Sequence, residues 1–64
     1  MANRIAKYVF PSSDAASNAY DQYRSHKNSN GISRYSDTIE IYDDCEDPAL
    51  AAKICIANGG VSKY

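Results

Sequence analysis

The sequence predicts a small α+β protein whose elements run strand, helix, strand, strand, helix, strand. Three observations carry that expectation. Arg4 to Phe10 is rich in β-branched and aromatic residues, the types that favour a pleated ribbon, and Pro11 closes the run because proline offers no N–H to a sheet ladder. Ser12-Ser13-Asp14 and Asp47-Pro48 are two helix starts, each pairing an N-cap side chain with a residue suited to the first turn. Between them, Thr38 to Asp43 sets Ile39 and Ile41 against Thr38, Glu40 and Tyr42, the two-residue period of a strand with one face buried.

Each element follows from local chemistry. In the first strand, Ile5 and Val9 lie on one side and Ala6, Tyr8 and Phe10 on the other, and the alternation leaves open which side is buried. In the first helix Ala15, Ala16, Ala19, Tyr20 and Tyr23 recur at helical spacing, a stripe of mainly small residues that lets a helix sit close to a sheet. His26 and Lys27 fall in its last turn, where positive charge suits the helix dipole, and Asn28-Ser29-Asn30-Gly31 ends it. Ile32 to Tyr35 and Thr38 to Asp43 are the next two strands. Ser36-Asp37 between them is not the Asn-Gly pair that tight hairpins favour, so the expectation is a longer or bulged loop, with a single bent strand as the alternative. The second helix runs from Pro48 to about Ala57 and stops at Asn58-Gly59-Gly60. Its inner face holds Leu50, Ala51, Ile54, Cys55 and Ala57, with Ile56 roughly opposite. Val61-Ser62-Lys63-Tyr64 alternates and is expected to form a short edge strand.

Two split βαβ units in this order make a ferredoxin-like sandwich, a four-stranded antiparallel sheet with both helices on one face, or a three-stranded version if the last strand does not form. Element lengths agree: a 14-residue helix spans roughly 21 Å and a six-residue strand about 20 Å. Residues 1–64 are expected to be a single compact domain. A chain of this length buries only about 60% of its unfolded surface, which leaves little interior for an enclosed substrate pocket.

Composition narrows the function further. Seven Lys/Arg against eight Asp/Glu exclude a generally basic nucleic-acid binder, and no apolar run approaches a membrane span or a signal peptide. Cys45 and Cys55 are too few for a disulfide-built miniprotein, and with the lone His26 they do not complete a zinc set of cysteines and histidines. The expectation is a cytoplasmic protein with two reduced thiols and no cofactor. The carboxylates around Cys45 lack the alternating spacing, central glycine and distal glutamate of a calcium loop. There is no phosphate-binding glycine loop, nucleophile elbow or metalloprotease motif, and nothing forces Cys45 against His26. No catalytic or metal residue is assigned.

What stands out is the surface. Residues 1–34 carry five Lys/Arg and two acids, a balance of +3, and residues 35–64 carry two Lys and six acids, a balance of −4. All six acids lie between Asp37 and Asp47 with no positive residue among them. Glu46 and Asp47 suit a helix start and Asp37 suits a turn, but Asp43-Asp44 has no such local reason. The expected contact residues are Asp37, Glu40, Tyr42, Asp43, Asp44, Glu46 and Tyr8, with Tyr42 on the open sheet face and either Tyr8 or Lys7 beside it. The expected role is a small non-enzymatic protein-binding module, an inhibitor or adaptor of the compact, motif-free kind common among phage and mobile-element products. Its partner would be a larger protein or nucleoprotein complex, with homodimerisation as an extension. The alternative is a single-stranded RNA- or DNA-binding protein that stacks bases on Tyr8 and Tyr42. Against it, the third strand lacks the basic-glycine-aromatic motif and carries Glu40 and Asp43 instead.

Overall fold

The computed structural model describes residues 2–63. Its elements are β1 (Arg4–Val9), α1 (Ser13–His26), β2 (Ile32–Tyr35), β3 (Thr38–Tyr42), α2 (Pro48–Ala57) and β4 (Val61–Ser62). The strands form one antiparallel sheet in the order β2-β3-β1-β4. Both expected caps are in place. The Ser12 side chain accepts from the Ala15 N–H at 3.2 Å, and that of Asp47 from the Leu50 N–H at 3.1 Å. The last strand is two residues long, and the expectation for Tyr64 lies outside the described residues.

The buried side of β1 is the Ala6, Tyr8 and Phe10 side. Ala6 lies opposite Ile41 and Tyr8 opposite Ile39, so these rows face the helices together. Ala16, Ala19 and Tyr23 of α1 and Ala51, Ile54 and Cys55 of α2 close over them in the same core. Tyr8 is 8% exposed, which corrects its expected place on the open face. The inner row has the aromatic bulk that a core poor in large aliphatics needs, and burying it leaves Lys7 and Val9 on the outer row. Ala57, expected on the inner face of α2, is exposed because the helix is ending there, whereas Ile56 is 62% exposed as its angle implies.

Two irregularities shape the outer face. The β1–β3 register slips between Arg4 and Ala6, so Ile5 is an extra residue and Arg4 pairs with Tyr42. Without that bulge, strict alternation would turn Arg4 toward the helices; with it, Arg4 joins the outer row. The β2–β3 connection is a tight two-residue turn rather than a longer loop. Ser36 adopts φ 54, the left-handed conformation such a turn asks for, and its carbonyl accepts from Arg34 Nη1 at 3.0 Å. The Asp37 carbonyl, accepting from the Phe10 N–H at 2.8 Å, ties the turn to the end of β1.

Candidate functional site

The six acids of segment 37–47 do not form one patch. Asp37 sits at the β2–β3 turn and Asp43 past the far end of β3, about 20 Å of extended chain away. Between them Glu40 points to the open sheet face, where Arg4 Nη1 lies 2.8 Å from its Oε2 and the Tyr42 hydroxyl donates to its Oε1 at 3.1 Å. The Arg4 guanidinium holds the Glu40 carboxyl below the usual carboxylate range, and Tyr42 is pushed up by donating to that carboxylate. Glu40 and Tyr42 are therefore partners of each other and of Arg4. Tyr35 shares this face and is 51% exposed.

The remaining acids sit on the β3–α2 loop, residues 43–47. Asp43, Asp44 and Glu46 are exposed, whereas Cys45 between them is buried and Asp47 is half-buried as the N-cap of α2. Among the described residues the ion pairs are Arg4–Glu40 and Arg24–Asp21, and none of the three exposed loop carboxylates takes part in one.

Although polar, this loop is fixed at several points. The Asp43 N–H donates to the Asn3 carbonyl at 2.9 Å, continuing the β1–β3 ladder past its end, and the Cys45 N–H donates to the Tyr42 carbonyl at 3.0 Å. Gly31 lies directly beneath. Its carbonyl accepts from the Tyr42 N–H at 2.7 Å, and its φ is +77. A Cβ at Gly31 would overlap the Cys45 backbone nitrogen and come within 2.5 Å of the Cys45 Cα and 2.7 Å of the Asp44 carbonyl carbon. Only glycine meets both demands, the positive φ and the close approach of two backbones. The last anchor comes from α1: the Tyr23 hydroxyl accepts from the Asp47 N–H at 3.1 Å and lies 3.2 Å from Cys45 Sγ. Tyr23 is 1% exposed; burial and the contact with Cys45 push its hydroxyl up to about 12, the Asp47 amide pulling the other way.

None of the anchors was named as functional from the sequence. Gly31 reads there as a helix stop, and Tyr23 as one more residue of an apolar stripe. No sequence signal links either to residues 44–47, because the contacts span 13 to 24 positions of the chain.

Elsewhere, an open hollow of about 270 Å³ is lined by Val9, Phe10, Pro11, Gly59, Val61 and Lys63 at the β4 edge. Among the described residues no three His, Cys, Asp or Glu side chains are grouped to hold a metal ion, and no helix is long and apolar enough to cross a membrane. Both cysteines are free and buried, and burial pushes the Cys55 thiol up to about 12. The chain matches no family model, no curated protein and no solved structure.

Proposed function

We propose that this chain is a small non-enzymatic docking protein that presents its β3–α2 loop to a basic surface of a larger protein or nucleoprotein complex, as an inhibitor or adaptor. One observation carries the reading. Asp43, Asp44 and Glu46 are exposed and lack any ion pair among the described residues, on a loop whose backbone is held by Gly31, Asn3 and Tyr23. Fixed, uncompensated charge attracts an oppositely charged surface at long range, and a loop already in its bound shape loses little freedom on contact. Tyr42 on the adjoining open face supplies aromatic area at the edge of the same contact. The underlying fold we read as ferredoxin-like with both helices on one face, supported by the β2-β3-β1-β4 order and the single core.

The test is affinity capture from the host with the native chain and with an Asp43→Lys/Asp44→Lys double variant, both checked for folding by circular dichroism. Capture of a discrete partner by the native chain, abolished in the variant and weakened by added salt, is the expected result. Equal capture by both chains removes the loop from the function. The burial of Tyr8 disfavours stacking of nucleic-acid bases between it and Tyr42. Salt-sensitive binding of a single-stranded oligonucleotide, lost in Tyr42→Ala, would instead favour a nucleic-acid role.

A further inference from the structure

We propose that the Tyr23 hydroxyl is a latch for the acidic loop, and that the loop has a second, detached state reached by releasing this latch while sheet and helices stay folded. The inference takes its significance from the docking role proposed above, but its geometry does not depend on any partner.

Among the described residues the two contacts of Tyr23 are the only hydrogen bonds joining the loop to α1. A phenol offers one hydrogen and two lone pairs. Here one lone pair takes the Asp47 N–H, and the remaining capacity meets Cys45 Sγ, so a single oxygen fixes two loop residues. The Tyr23 ring is core in its own right, 1% exposed and part of the same buried cluster as Ile39, Ile41 and Cys55, so the hydroxyl can be removed while the ring stays in place. The cost of its removal falls on the loop: the Asp47 N–H loses its acceptor, and Cys45 loses the polar partner beside its sulfur.

Little side-chain burial opposes departure once the latch is released. Asp43, Asp44 and Glu46 carry like charge and are already in solvent, Cys45 is the one buried side chain of residues 43–46, and the Asp43–Asn3 and Cys45–Tyr42 backbone bonds open with it, their groups passing to water. Segmental openings of this kind occur below the free energy of global unfolding. A partner that binds the latched shape then sees only the latched fraction, so anything that lowers that fraction weakens docking in proportion.

The experiment reads the two thiols separately. Single-thiol chains carrying Cys45→Ala or Cys55→Ala are labelled with a soluble aromatic disulfide reagent, with and without Tyr23→Phe. Losing a hydrogen-bonded hydroxyl should raise the open fraction by about tenfold. The expected result is therefore about tenfold faster labelling of Cys45 in Tyr23→Phe, with labelling of Cys55 in α2 little changed. An unchanged Cys45 rate overturns the proposal, and so does an equal acceleration of both thiols, which would mean global unfolding. Should the variant fail to fold, amide exchange of the native chain decides: the Cys45 and Asp47 amides must exchange faster than those of Ile39 and Ile41, and exchange at one common free energy overturns the detached state. None of these readouts uses a partner. A working latch combined with unaltered capture by the charge-reversed chain would thus sink the docking role alone.

Discussion

Glu40 and the Asp43-Asp44 pair leave the same strand only a few residues apart, yet their charges meet opposite fates. On the open sheet face Glu40 has Arg4 at 2.8 Å and the Tyr42 hydroxyl at 3.1 Å, an arrangement created by the Ile5 bulge. Past the end of β3, Asp43 and Asp44 form no ion pair among the described residues, and the chain devotes its anchors there to backbone rather than to carboxylates. A charge answered within the molecule contributes modestly to stability and little to attraction. A charge left unanswered on a fixed backbone contributes almost nothing to folding and remains available to a partner. Density of acidic residues in the sequence is thus a poor guide to function; whether the fold supplies a counter-charge is the better one.

Substitutions break or sharpen this contrast in a graded series. The largest effect is expected from Gly31→Ala. It places a Cβ into the loop backbone at a positive φ, for about 3 kcal/mol of destabilisation. In thermal melts that is a fall on the order of 15 °C, and a melt within a few degrees of the native one would show that the loop is not held by this contact. Next comes Asp47→Ala, which removes the α2 N-cap and should cost about 1 kcal/mol in denaturant titration while leaving Asp43 and Asp44 exposed.

Glu40→Gln is smaller, about 0.5 kcal/mol at neutral pH because Arg4 is partly solvated. Its pH dependence is the sharper readout. The carboxyl is lowered in the folded state, so its contribution is present above the ordinary carboxylate range and disappears as pH falls through the lowered folded value. Native and Glu40→Gln chains should therefore converge in stability at acid pH, and a gap that persists there would rule out the ion pair as its source. Smallest of all, Asp43→Lys/Asp44→Lys should shift stability by less than about 0.5 kcal/mol, while changing partner capture more than any other substitution. A large loss of stability would mean that these carboxylates serve the fold.

Much of this architecture is legible in the residues. Ser12, Asp47-Pro48 and the glycines after α2 mark the helix limits because capping groups act on amides one turn away, and Ile39 and Ile41 mark the buried side of β3 through a period of two. The side of β1 was not legible, since both of its rows carry apolar residues and only the partner row of β3 selects one. The tight turn at Ser36 is not legible in the Ser-Asp dipeptide, because its positive φ is supported by the Arg34 side chain and by the join to Phe10. For the site, the excess of acids in 37–47 was visible, but its division into a neutralised part and a free part was not.

Composition and local periodicity settled on their own the element order, the cap residues and the presence of a negative segment, because these depend on backbone bonding within a turn or a pleat. The tertiary structure alone decided that Tyr8 lies inside, that a bulge at Ile5 carries Arg4 to Glu40, and that Gly31 and Tyr23 hold residues 43–47 in place. Those outcomes arise between positions distant in the chain, where the fit of one backbone against another, rather than the preference of any single residue, determines which groups meet.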